Sequence, residues 1–173
     1  MTRRVASSTL KLVPFYGFGQ REPAFPAGFW AVVDWPDTEK GPKVASIALT
    51  WEGDHRFDAE DRGGMPVDID GEATVGVRPS DLLPMALAGC SGVDVVEQIG
   101  ANRLTSLEVT VRYTKEADPP WRFQRFRVHY RAAGPDLTEQ ELSEAVRRSH
   151  DEMCSVSQAI RGNVPVETTV EMV

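Results

Sequence analysis

The stretch "LLPMALAGCSGVDVV", residues 82–96, decides the fold. Leu83, Leu87, Cys90, Val93 and Val96 recur at steps of three and four, the spacing of one helix face, and the flanking apolar residues widen that stripe. A helix this apolar belongs at the centre of a structure. Pro84 has to fall in its first turn, where a missing N–H is tolerated, and Gly100 is a natural stop. The segment predicts a helix over 82–100, with Cys90 at its middle. The chain has two cysteines, and the second is Cys154.

Upstream, "VASIALTW" (44–51) alternates, with Ala45, Ile47, Leu49 and Trp51 on one face of a half-buried strand. "EGDH" turns the chain, "RFDAED" pairs back, and the glycines at 63, 64, 71 and 76 mark a loop with a short strand. Downstream, "LEVTVRY" and "FRVHY" read as strands; the second turns Phe126, Val128 and Tyr130 inward and Arg127, His129 and Arg131 to water. Thr138 and Glu141 form a capping box ahead of a helix that runs to about Ser157, with Leu142, Val146, Ser149 and Met153 in line. A last strand carries Val164, Val166, Thr168, Val170 and Met172. Strands in adjacent pairs, separated by helices, predict an α+β fold with a largely antiparallel sheet. Residues 1–43 differ: five prolines among scattered aromatics predict an arm that packs on the body or on a partner, with a short strand at Phe29–Val33. The organisation is an arm, 1–43, and a domain, 44–173.

Composition narrows the function. With 19 basic and 26 acidic residues the net charge is -7, which argues against nucleic-acid and anionic-membrane partners. No uninterrupted apolar run approaches membrane-spanning length, and the N-terminus lacks the apolar core of a signal peptide. Two cysteines are too few for a secreted disulfide framework, so a reducing cytoplasm is the expected compartment. His55, His129 and His150 have no ligand spacing and there is no CxxC, so no metal is expected. No glycine-rich nucleotide loop occurs either, and no cofactor is expected.

The cysteines remain. Either is adequate core material, but both have small neighbours (Ala88, Gly89, Ser91, Gly92; Ser155, Ser157) that leave room for a reactant. A thiolate becomes useful beside a cation, and His55, Arg56 and Arg62 precede the first helix, arginine being the better candidate because it is always charged. A thiolate attacks a peroxide O–O bond to give a sulfenic acid, which condenses with a second thiol; Cys154 is the internal candidate. Asp81 and Asp94 flank Cys90 on its helix.

"LTWEGDHRFDAED" (49–61), "RPSDLLPMALAGCSGVDVV" (78–96) and "HDEMCSVSQAI" (150–160) resemble, in order, a strand segment and the two cysteine-bearing helices of the OsmC/Ohr family, the osmotically induced and organic-hydroperoxide-resistance proteins. The resemblance covers 44–173. It implies an intertwined homodimer with strongly curved sheets around two central helices and an active site at the subunit interface. It implies Cys90 as peroxidatic and Cys154 as resolving cysteine, an activating arginine (Arg56 or Arg62), a carboxylate that orients it, an organic hydroperoxide as substrate and a small dithiol or lipoyl group as reductant. Ser80 stands where the hydroperoxide-resistance branch carries a glutamate, and Asp81 matches the glutamate of the broader branch. Two rival readings stand beside a peroxidase: a non-catalytic dimer holding a small apolar ligand in its interface cleft, and a structural protein with both cysteines in the core.

Overall fold

A computed structural model describes residues 45–173. The arm and the strand expected at Phe29–Val33 lie outside the described residues. Three short strands, β1 (Leu49–Gly53), β2 (Arg56–Glu60) and β3 (Pro66–Asp70), form an antiparallel sheet in that order. The β1–β2 turn needs Gly53, whose φ of +103° is closed to other residues. The face expected to be half-buried is open: Ile47, Leu49 and Trp51 are each at least half exposed, and the strand begins only at Leu49. Alternation reports which residues share a face; it does not report what covers them.

After β3 the buried Asp70 carboxylate organises the loop. It accepts from the backbone N–H of Glu72, Thr74 and Val75 and from the Thr74 hydroxyl. The Thr74 hydroxyl and these N–H groups hold its pKa well below the usual carboxylate range. A 3₁₀ turn, Pro79–Asp81, then leads into α1 (Leu82–Ile99), as its spacing predicts, with Pro84 in the first turn and Gly100 as cap. The buried line of α1 is rotated from the expected one: Leu87, Ser91, Val95 and Ile99 face inward, while Met85 and Val93 are more than half exposed. Gly92 lets the helix approach the side chain of Val109. The span Pro79–Ile99 has a mean hydropathy of 1.3 and the length to cross a membrane, which a count of uninterrupted apolar residues overlooked. Its Leu87–Val95 face is part of the interior cluster, the ordinary use of an apolar helix in a folded domain.

The second sheet holds β4 (Ser106–Lys115), β5 (Phe123–Ala133) and β6 (Val166–Met172), with β5 in the middle. β4 and β5 are antiparallel, like the strands of the first sheet, and β5 and β6 are parallel, so the strand pairing is largely antiparallel, as expected. A parallel return needs a long crossover, and the helical segment between them supplies it. Strand β5 alternates as read. Phe126, Val128, Tyr130 and Ala132 are buried in one cluster with Leu87 and Val95 of α1 and with Leu142 and Val146. Each large apolar side chain so buried contributes about 1.5–3 kcal/mol. The outer face is a ladder of ion pairs, Arg125 and Arg127 with Glu167 and Arg131 with Glu108 and Glu171, the solvated face the sequence predicts.

The capping box at Thr138 and Glu141 is present and opens α2 (Glu139–Arg148). The helix does not continue to Ser157. It widens into a π turn, Ser149–Met153, breaks at Cys154, and restarts as the short α3 (Ser155–Ile160). The Cys154 N–H closes the wide turn on the Ser149 carbonyl at 2.8 Å. Arg161 and the Gln158 amide donate to the His150 and Asp151 carbonyls, groups the widened turn frees.

A Cβ at Gly134 would meet the Arg103 carbonyl oxygen, a backbone atom that cannot step aside. Gly134→Ala is expected to cost about 1–3 kcal/mol in urea unfolding, more than Thr138→Ala, which removes one cap at about 1 kcal/mol.

Candidate active site

Helix α1 carries Cys90 and the break after the π turn carries Cys154. Both elements pack on β5, and this brings the cysteines together from distant parts of the chain. Their sulfurs and a carboxylate oxygen of Asp94 all lie within 4.8 Å of one another. Cys90 is partly exposed and its Sγ lies 3.9 Å from the Ser155 hydroxyl; Cys154 is fully buried. A modest closure separates this arrangement from the ~2.05 Å of a disulfide.

The two thiols differ in acidity. Burial pushes Cys90 up, but hydrogen bonds from the Cys154 thiol, the Val156 and Ser155 N–H groups and the Ser155 hydroxyl outweigh it and bring its pKa below the ordinary value. Burial raises the Cys154 thiol, and its bond to Cys90 raises it further. Of the two, Cys90 is the more acidic and, when ionised, accepts the S–H of Cys154.

Beneath them runs a polar chain that the sequence reading passed over. The Ser91 hydroxyl donates to the Leu87 carbonyl at 2.7 Å. The Tyr130 hydroxyl donates to Ser91 at 2.6 Å and lies 2.8 Å from His150 Nε2. His150 Nδ1 lies 2.8 Å from the Ser157 hydroxyl. The Ser157 N–H donates to Cys154 Sγ at 3.4 Å, and the Ser157 side chain partly offsets the rise in that thiol's pKa. Burial lowers the His150 pKa and raises that of Tyr130. On the other side the Ser149 hydroxyl donates to Asp94 Oδ2 at 2.7 Å. The signals were available: Ser91 and Ser149 are polar residues on apolar helix faces, and Tyr130 is an inward residue of β5 whose hydroxyl needs a partner.

The other expected residues lie elsewhere. Arg56 opens β2, opposite Asp70, and Arg62 lies in the turn after it. The strongest influences on Cys90 are all uncharged groups, neither arginine among them. Asp81 accepts the Tyr113 hydroxyl at 2.7 Å, tying the start of α1 to β4. It stands roughly 13 Å along the helix from Cys90, at 1.5 Å per residue. Cys90, Asp94 and Cys154 are also the one group of potential metal donors among the described residues. Three donors leave zinc one short of a closed structural set.

The family model described as OsmC-like protein matches residues 70–169. Protein YhfA of Escherichia coli is 27% identical over 128 residues, 72% of this chain and 96% of that protein. Organic hydroperoxide resistance protein-like 1 of Staphylococcus epidermidis is 29% identical over 110 residues, 62% of this chain and 76% of that one. The crystal structure of a hypothetical protein from Aquifex aeolicus superposes with a TM-score of 0.69 over 76% of this chain and 98% of its own, at 21% identity.

The acidity of Cys90 leans on the thiol beside it. In Cys154→Ala the pH midpoint for alkylation of Cys90 by iodoacetamide is expected to move upward, because a donor to the thiolate is gone; an unmoved or lower midpoint contradicts the coupling.

Proposed function

The chain belongs to the OsmC-like protein family, and on that premise we propose that it is a cysteine-based peroxidase that reduces organic hydroperoxides. The observation that carries this reading is the unequal sulfur pair, one reachable and acidified, the other buried beside it. The Cys90 thiolate attacks the terminal peroxide oxygen. The O–O bond breaks, the alkoxide takes a proton and leaves as an alcohol, and Cys90 becomes a sulfenic acid. Cys154 then displaces that hydroxyl to form the disulfide and water, and a small dithiol, such as a lipoyl group, restores both thiols by exchange. The relative named for organic hydroperoxide resistance supports the class of oxidant. A reducing cytoplasm is the compartment that keeps such a pair in working order.

The functional unit is a homodimer. The open face of β1 and the exposed Met85 and Val93 of α1 are apolar surfaces of the kind an obligate interface covers. An activating guanidinium, Arg56 or Arg62, then reaches Cys90 from the β1–β3 sheet of a second copy, which accounts for none acting on Cys90 among the described residues of one chain. Asp81 holds its helix start in register for that contact through Tyr113.

Loss of cumene hydroperoxide with dihydrolipoamide tests the chemistry. Cys90→Ser is expected to fall to the uncatalysed rate, and Cys154→Ser to consume one equivalent of hydroperoxide quickly and then slow; Cys90→Ser at wild-type rate refutes the reading. Trp51→Glu is expected to convert a dimer into monomer in size-exclusion chromatography with light scattering, with loss of turnover in the same step if a second copy supplies the cation.

A further inference from the structure

The reaction above leaves one requirement unmet and one buried group unused. Cys154 attacks as a thiolate, yet it is fully buried and burial raises its pKa, while His150 lies partly buried in the polar chain behind it. We propose that His150, acting through the Ser157 hydroxyl, takes the proton from Cys154 as that sulfur closes on Cys90. The proposal rests on the peroxidase reading only for what Cys90 carries at that moment.

The direction of the hydrogen bonds assigns the protons. The Leu87 carbonyl can only accept, so the Ser91 hydrogen is committed there. The Tyr130 hydrogen is committed to Ser91. At the 2.8 Å Tyr130–His150 contact the hydrogen therefore comes from Nε2. In a neutral imidazole that leaves Nδ1 bare, facing the Ser157 hydroxyl at 2.8 Å. Ser157 donates to Nδ1 and keeps a lone pair beside the Cys154 thiol, whose sulfur its own backbone N–H meets at 3.4 Å. While Cys90 is a thiolate, the Cys154 S–H points to it. Once Cys90 carries oxygen, that anion is gone; Asp94, within 4.8 Å of the sulfur, is already engaged by the Ser149 hydroxyl, and Ser157 offers the route to a neutral base.

The step balances. The Cys154 S–H bond breaks and its proton passes to Ser157, whose own hydrogen passes to Nδ1. The Cys154–Cys90 S–S bond forms as the S–O bond of Cys90 breaks. The departing hydroxide takes up the proton that the imidazolium returns, so thiol plus sulfenic acid become disulfide plus water. The groups facing His150 suit this role. Asp94 from α1 and Asp151 from its own turn favour the imidazolium, burial opposes it, and burial wins at rest. Tyr130 from β5 and Cys154 from the break complete the surroundings, while Arg161 is occupied with the His150 carbonyl and the Asp151 carboxylate. His150 is thus a positioning residue that reaches the sulfur through Ser157.

The test needs no hydroperoxide. Ellman's reagent converts Cys90 to a mixed disulfide, releasing one thionitrobenzoate. Attack by Cys154 then releases a second and forms the internal bond. In Ser157→Ala and His150→Asn the first release is expected at the wild-type rate, which also reports an intact fold. The second is expected to slow on the order of 100-fold, the low end for a positioned base. The wild-type second release is expected to be flat with pH above the His150 pKa, which lies below its ordinary value, and to fall beneath it. The variants are expected to lose the plateau and to climb into the alkaline range as hydroxide takes over. Second releases like wild type in the variants overturn the relay. So does a wild-type profile that climbs without a plateau, which decides alone where a variant loses its fold. A slowed second release in a chain that ignores cumene hydroperoxide keeps the relay and sinks the peroxidase.

Discussion

Tyr130 reaches inward from the middle of β5 and its hydroxyl touches Ser91 on one side and His150 on the other, so the helix bearing Cys90 and the turn leading to Cys154 are held to a single oxygen atom. The phenol is fully buried, and cutting either contact strands a buried polar group at about 1–3 kcal/mol. The separation of the sulfurs inherits its precision from this atom. The apolar contacts of Leu87, Val95 and Val146 with β5 bring the helices to the sheet; they fix no register, because hydrophobic contact is not directional.

Two thiols of one chemistry acquire opposite characters from position alone. The restart of the chain as α3 turns N–H groups of Ser155 and Val156 toward Cys90, while Cys154, at the break itself, is sealed from solvent. The same interruption of the helix thus makes one sulfur an acceptor and the other a donor. An unbroken helix through residue 157 would supply neither effect, since its N–H groups would be spent on its own carbonyls.

The parts of this molecule legible in its sequence are those set by local rules. The bounds of α1, the Thr138 capping box and the inward row of β5 follow from periodicity and cap chemistry. The pairing of the motifs around Cys90 and Cys154 with a known family was legible as well. What failed was set by distant partners. The buried line of α1 is turned so that Ser91, not Cys90, meets the sheet, because Tyr130 needs an acceptor. That β6 is the parallel exception in a largely antiparallel fold follows from a crossover whose path no pattern in the strand encodes. His150 has no ligand spacing in the sequence, yet its ring meets hydroxyls brought from two other elements, Tyr130 of β5 and Ser157 of α3. The open face of β1 alternates as a buried strand should, and within the described residues it has no cover.

The π turn also bears on how this segment can vary. Between Ser149 and Cys154 the backbone holds one residue more than a regular helical turn would. Exchanging a solvent-facing side chain there, such as Glu152, leaves the path of the backbone alone. Deleting a residue restores regular winding and rotates everything downstream by about 100°, the angular step of an α-helix, carrying the second sulfur away from the first. In this stretch it is the spacing of the chain, more than the identity of its outer residues, that holds the chemistry together.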